Sequence, residues 1–575
     1  MKTKLLTVQN VIFLMFAIGM SFALSDNAFA EFSKTPDTAL TITNKLLSGS
    51  GEVRIANTSD EKIFVAWQQW EQIGGKNTAT VRLQLLDKKG NNLWEQGGIL
   101  ISDKPTNDAV FRNDLNLLVT SKNEAIITVA DFRTYNDVQN PAKSSRDITL
   151  YKIDAAKKFI WGANGVTVYS NETNSPISGP SVAIDDNDEV IVAVPIFNAV
   201  HINVIRENGT KKLANDILVD GVKDLIVEKA KNGLFYAVYK VNNNSLHVDL
   251  YNPALTDQKF VWKGRRVGND ETGENLTPND EHFVISDGEI GIFIIWEKSK
   301  LYIQRIDTSG DRFFKSSGLL LSPNAETIDN PVFSIDTINK IVNIAWYNQF
   351  ASNYSLLFQK VNFDGEILLN DGGKEPVTDV NVKPVVLLTS PDGRCLMVLS
   401  KNNLIEGDEL YFANLSLTGE NILNSIIPVF LGDGNHNSDK TSIVSTNFFN
   451  GQMVIAWYDD NNAMNTPIRH SVKAQSITYN GHLGSGIKES KFQNENIAVC
   501  PNPVTNLFNI KYNSKNDQNT LISIYNMQGK LCYRFDYELT QGENYILVNC
   551  NLEKGMYIVK LNLKNEDVYT NFIIE

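Results

Sequence analysis

IVNIAWYNQF, residues 341–350, is the stretch that decides the fold. Its apolar run closes on Ile344-Ala345-Trp346, and that aliphatic-Ala-Trp group returns as Val65-Ala66-Trp67, Ile455-Ala456-Trp457 and the variant Ile294-Ile295-Trp296. Weaker copies stand at Ile127-Thr128-Val129, Val192-Ala193-Val194, Tyr236-Ala237-Val238 and Leu396-Met397-Val398. Aligned on Ala345, the eight copies recur on average about 56 residues apart, the kind of fixed period that marks a repeat architecture.

The flanks of each copy repeat as well. After a variable loop comes an alternating strand: VRLQLLD (81–87), ITLYKID (148–154), LYIQRID (301–307), LLFQKVN (356–362), VKAQSIT (472–478). A polar turn with glycine follows, then an aromatic, a glycine and a short strand, as in WEQGGILIS (94–102) and FKSSGLLLS (314–322). Another short strand and polar turn precede each copy, as in SVAIDDNDE (181–189). Each unit therefore reads as four short strands, and no segment holds a helical period. Four antiparallel strands repeated at this spacing predict propeller blades. One blade cannot bury both of its faces, and a closed ring of blades can. The expected fold is all-β: an eight-bladed β-propeller over residues 31–490, seven-bladed if one weak copy is misread. The final repeat ends poorly (GSGIKES, 484–490), whereas Ala39-Leu40-Thr41-Ile42-Thr43 is a strand with no repeat before it. Residues 39–48 are expected to complete the last blade, with the chain before Leu40 contributing little. These repeats resemble a loosely defined group of secreted bacterial propeller-like repeats. The resemblance covers residues 39–490 and implies fold and export.

The 575 residues are 42% hydrophobic and 21% charged, a globular composition. Lys and Arg number 53 against 66 Asp and Glu, a formal charge of -13. Such a chain is a poor partner for nucleic acid or an anionic membrane. The first thirty residues read as a secretory signal peptide. Lys2 and Lys4 precede an apolar run from Val11 to Leu24, and Ala28 and Ala30 stand at the small-x-small cleavage site. The run is too short to cross a bilayer, and no later one is long enough. Of four cysteines, Cys395 reads as core filler. Cys500, Cys532 and Cys550 cluster near the end, and Cys532 with Cys550 reads equally well as a bridge or as two buried thiols.

After a polar linker, 491–496, residues 497–575 read as a separate small β-sandwich. Pro501-Asn502-Pro503 forces a rigid turn, and Asn526-Met527-Gln528-Gly529 is a hairpin turn with Lys530 after it. Leu552, Gly555 and Tyr557 introduce a strand that carries Val559 and Lys560. In order and spacing these motifs resemble the type A C-terminal sorting domain of cargo exported by the type IX secretion system of Bacteroidetes. Val504 departs from the small residue usual after Pro-Asn-Pro. The resemblance implies a secreted or cell-surface protein that passes the periplasm and outer membrane. It implies the type IX translocon and sorting machinery as partners, and attachment to surface lipopolysaccharide after processing.

Catalytic signatures are sparse. The six histidines have no zinc-ligand spacing, and no Gly-x-Ser-x-Gly elbow or phosphate-binding loop occurs. The sequence implies no resident metal or cofactor. Asp185-Asp186-Asn187-Asp188 and Asp459-Asp460-Asn461-Asn462 have a calcium-like composition, and the first is better read as a hairpin turn. Asp131, Arg133, Glu297, Asn348, Asp459 and Asp460 each follow the aliphatic-Ala-Trp strand of their own blade and so converge on one face. That face is the candidate ligand site, for an extracellular glycan or protein, while the tryptophans are expected to pack between blades. Binding or adhesion to a glycan, protein or matrix component, without catalysis, is the leading reading. A propeller hydrolase or lyase acting on polysaccharide is the alternative, requiring two opposed carboxylates.

Overall fold

The structure is a computed structural model. It describes residues 31–43, 51–73, 76–102, 104, 115–131, 133, 146–171, 179–196, 199–241, 245–254, 260–268, 281–325, 327–350, 353–378, 381–403, 407–423, 425–431, 440–461, 469–484, 497–504, 507–526, 530–563 and 567–574. The expected signal peptide, with Ala28 and Ala30, the linker 491–496 and Gly529 lie outside these residues.

The chain is all-β, and its described residues form ten antiparallel sheets. Eight of them follow one another along residues 40–478. The first consists of Val53–Asn57, Ile63–Ile73, Lys76–Leu86 and Ile99–Ser102, paired in sequence order. The next four repeat this up-and-down pattern, as does the seventh. The sixth has three strands, Thr327–Asp336, Ile341–Phe350 and Asn353–Asn362, with a lone bridge from Phe358 to Lys374 where a fourth would lie. In each sheet the aliphatic-Ala-Trp strand, or its weaker copy, is the second.

Packing explains why those second strands are almost continuously apolar. A strand covered on both faces has no solvent side to mark with polar residues. In Ile63–Ile73, Ile63, Val65 and Trp67 pack toward the eighth sheet, while Phe64 and Ala66 pack toward the second. The same division holds for Trp296, Trp346 and Trp457, each packed against the sheet before its own. Ala345 and Ala456 face the sheet after. All four tryptophans are fully buried. Eight apolar clusters alternate with the eight sheets, and one of them joins the eighth sheet to the first, so the array returns on itself.

The two ends of the array meet in that joining cluster. Leu40–Thr41 pairs antiparallel with Arg469–Thr478, Leu40 opposite Ala474 and Thr41 opposite Lys473. The Ile42 N–H donates to Val472 O at 2.9 Å. The segment before Leu40 was expected to contribute little, and here the structure differs. Phe32 is only 2% exposed and belongs to the same cluster. Its N–H donates to Lys89 O at 2.9 Å, and Pro36 O accepts from the Leu431 N–H. The reason is a repeated contact at the rim. The Trp94 indole donates to Ala155 O in the next sheet's turn, as Trp161 does to Glu207 O and Trp262 to Thr308 O. Phe32 supplies the aromatic that the last repeat lacks.

The tail forms the other two sheets. Ile497–Cys500, Leu507–Ser514 and Gly542–Asn549 make one; Leu531–Leu539, Gln518–Asn526, Gly555–Asn562 and Asp567–Ile574 make the other. Both contribute to a single apolar cluster that contains Phe508, Ile524, Ile546 and Val559.

Candidate functional site

The six residues expected to form a ligand face lie at or just beyond the ends of second strands in the second, fifth, sixth and eighth sheets. Most of the loops beyond them are outside the described residues. What can be seen of the side chains is mainly internal pairing. Asp131 is wholly buried; its carboxylate accepts from Arg133 Nε at 2.9 Å, Arg133 Nη2 at 2.8 Å and Ser102 Oγ at 3.1 Å. Arg133 also donates to Tyr151 Oη at 2.8 Å. Burial works against the Arg133 charge, but the Asp131 carboxylate outweighs it and holds the guanidinium pKa above its ordinary value. Asp459 is buried 2.5 Å from Lys473 Nζ and 3.9 Å from Lys440 Nζ. Burial presses Lys440 below its usual pKa, and Asp459 resists. Asn348 is buried with its Oδ1 unpartnered among the described residues. Glu297 lies at the end of Gly291–Lys298, its N–H donating to Glu281 O. Asp460 is on Gln452–Asn461, and its side chain is outside the described residues.

The calcium-like run 185–188 is a hairpin turn. Asp185 Oδ1 accepts the N–H groups of Asn187 and Glu189, both at 2.9 Å, and the Asp188 carboxylate reaches Ser121 of the neighbouring sheet. Among the described residues no group of three or more His, Cys, Asp or Glu is placed to hold a metal. His282 is buried, its Nε2 unpartnered among the described residues.

Two features escaped the sequence reading. The glutamine of the third strand is a buried clip. Gln359 Oε1 accepts the N–H groups of Lys360 and Leu369, and its Nε2 donates to Asn370 O at 2.8 Å. Gln304 repeats the arrangement, and Gln84 repeats its bonds to the next residue's N–H and to Glu95 O. The second feature is a basic outer edge. Phe260–Arg266 is the outermost strand of the fourth sheet, with Lys263, Arg265 and Arg266 exposed. Beside it is a hollow of about 400 Å³ lined by Arg265, Gly310, Asp311, Arg312, Phe314 and Ser316. The signal was the run Lys263-Gly264-Arg265-Arg266, too short to register in a chain of net charge -13.

In the tail, the motif residues serve mainly to hold it together. Asn502 Oδ1 accepts the Ile573 N–H at 2.9 Å, and the Val504 N–H donates to Ile573 O at 2.7 Å, so the Pro501-Asn502-Pro503 turn clamps the last strand. Tyr557 stacks on Phe572 with centroids 5.8 Å apart and donates from Oη to Glu553 O. Leu552 packs on the tail core, and Gly555 opens the strand opposite Ile574. The Lys530 N–H donates to Asn526 Oδ1 at 2.9 Å, closing the hairpin turn. Lys560 is buried, 3.2 Å from Asp567. Cys500, Cys532 and Cys550 are free thiols, as is Cys395 in the ring. Residues 498–575 match the family described as Secretion system C-terminal sorting domain. The tail is a sorting domain. The chain is therefore cargo of the type IX export machinery, the partner its sorting domain addresses.

No curated protein matches the chain. Among solved structures, apo prolyl oligopeptidase B of Galerina marginata is similar over 90% of this chain and 56% of its own, at 10% identity and a TM-score of 0.38. A protein of unknown function from Dyadobacter fermentans is similar over 77% of this chain and 98% of its own, at 11% identity and a TM-score of 0.34. The endo-arabinase of Bacteroides thetaiotaomicron is similar over 48% of this chain and 94% of its own, at 11% identity and a TM-score of 0.25. The chain spans only about half the length of the Galerina marginata enzyme. Scores this low assign no activity.

Proposed function

We propose that this is a surface-delivered binding protein. Residues 1–30 direct it into the export route and are removed. Residues 31–490 form an eight-bladed propeller closed by strand 39–48, and 491–496 link it to a β-sandwich sorting domain, 497–575. After export the protein stays at the cell surface, held by lipopolysaccharide once the tail is processed, and the ring binds an extracellular glycan or protein.

The basic edge at Phe260–Arg266 carries the binding reading. Lys263 lies 6.0 Å from the Phe260 ring and Arg265 6.0 Å from the Trp262 ring, so both cations are held against aromatic faces. Arg265 and Arg312 line one hollow. Paired guanidinium groups suit carboxylate or phosphate oxygens, which favours an acidic ligand. Asp131, Arg133 and Asp459 are engaged with each other or with neighbouring groups, which leaves them less available to a ligand than the exposed basic edge. The test is an array of acidic and neutral polysaccharides probed with the mature chain and with an Arg265→Ala/Arg312→Ala variant. Retention on acidic polymers, lost in the variant, is expected. Equal retention of both proteins overturns the reading.

A further inference from the structure

The ring and the sorting domain meet through charged groups. On the ring side stand the turn Ser390–Arg394 of the seventh sheet and Tyr479, which follows the third strand of the eighth. Asp392 is 4% exposed and accepts from Arg394 Nε at 2.8 Å and from Ser390 Oγ at 2.5 Å. Arg394 lies 4.6 Å from the centre of the Tyr479 ring.

On the tail side the residues form one row across the four-stranded sheet. Arg534 is opposite Ser523, Ser523 opposite Lys560, and Lys560 opposite Tyr569. Alternation places this row on the face away from the tail core, since Ile522, Ile524, Val559 and Leu561 are in that core. The Lys560 ammonium is 4.0 Å from the centre of the Tyr479 ring and hydrogen-bonds its hydroxyl. Tyr479 is thus flanked by two cations, one from the ring and one from the tail. Arg534 donates to Asp392 O, and Asn562 reaches the Asp392 carboxylate at 3.5 Å. Gly393 makes room for this: a Cβ there would stand 2.6 Å from Arg534 Nη1.

We propose that the ring carries a docking surface for its own sorting domain, built from Ser390–Arg394 and Tyr479, and that docking shelters Lys560. A surface lysine would be solvated on all sides. Lys560 is only 7% exposed, and part of what covers it is a ring residue. Burial correspondingly presses its ammonium pKa well below the ordinary lysine value, with Asp392 acting in the opposite sense. Because Lys560 is one of the sorting-motif residues, and resting on that reading of the tail, the docked form withholds part of the motif and the undocked form presents it.

Amine acylation of the full mature chain, read by mass spectrometry, tests the dock. Lys530, on an exposed turn, is the internal control. Lys560 should react at least about tenfold more slowly than Lys530, because reaction must wait for opening. Tyr479→Ala on the ring, and independently Arg534→Ala on the tail, should bring Lys560 toward the control rate. Tyr479 also packs against Phe448 and the ring cluster, so its variant lowers the ring's unfolding midpoint and is read below that midpoint, whereas Arg534→Ala should leave the midpoint in place. If Lys560 reacts like Lys530 in the wild-type chain, or stays protected in both folded variants, there is no dock. Export of the same variants is scored separately, so a failed dock and a failed sorting reading give different results.

Discussion

Phe32 stands against Gly90 as Phe314 stands against Gly365. In both pairs the glycine has a positive φ, 92° and 88°, and a Cβ on it would come within 3.0 Å of the aromatic residue. The second pair joins two consecutive repeats. The first joins the beginning of the described chain to the first sheet, and so carries a rim contact across the closure.

Phe32→Ala should therefore destabilise the ring by about 3 kcal/mol, the cost of emptying a buried aromatic site. Truncation through Pro36 should do at least as much, because it also removes the acceptor of the Leu431 N–H. Thermal unfolding of the mature chain checks this. An unchanged midpoint on losing Phe32 would mean that closure rests on Leu40–Thr41 alone.

Replacing Gln359 with Leu keeps the volume and removes the clip. The buried Lys360 N–H then loses its partner, at about 1–3 kcal/mol for a group hidden from water, and the half-buried Leu369 N–H and Asn370 carbonyl lose theirs at a smaller cost because water can reach them. A loss of roughly 2–4 kcal/mol is expected in chemical denaturation, with local exchange of the Leu369 amide raised. A loss below about 0.5 kcal/mol, the range of an ordinary surface change, would show that water replaces the clip.

How legible these residues were follows from what each contacts. The tryptophans repeat with their strands because each fills the same space between sheets, so a period was visible. Gln359 and its counterparts repeat too, but a hydrogen bond to the turn after the strand leaves no trace in a hydropathy pattern, and only their recurrence showed. Phe32 was illegible as a rim residue because its repeat is split across the chain, with the aromatic some 440 residues from the strand it completes. The acidic residues of the expected ligand face could be placed near the ends of second strands by spacing alone. That Asp131 is held by Arg133 and Asp459 by Lys473 depends on side-chain direction, which spacing does not give.

His282 ties the ring to pH. Burial lowers its pKa from 6.5 to about 4, with Lys240 pushing the same way. The folded state holds this imidazole neutral, while the unfolded chain binds its proton near the ordinary value. The stability is thus complete above about pH 6.5 and is lost as pH falls through 4, amounting to about 3 kcal/mol at the acid end. Glu228 works in the same acid-to-neutral range with the opposite sign. Burial raises its pKa to about 7, so it costs stability as pH rises from 4.5 through 7. Denaturation of His282→Gln between pH 7.5 and 4 should show a flatter acid loss than wild type, and Glu228→Gln a steeper one. Parallel curves for all three proteins would rule out both assignments.

Deleting residues 497–575 separates folding from delivery. The apolar cluster of the sorting domain contains no residue of the ring, and none of the eight ring clusters contains a residue of the tail. The two bodies touch through Lys560, Arg534 and Asn562, polar contacts whose loss exposes groups that water can satisfy. The shortened chain should therefore keep its unfolding midpoint while losing its route across the outer membrane, and fractionation of a type IX host should find it in the periplasm. Asn502→Ala is the finer version. It frees the Ile573 N–H and loosens the last strand, so the tail should become protease-sensitive and surface delivery should drop, with the ring still folded. A truncated ring that still arrived at the surface would show that the tail is not what sends it there.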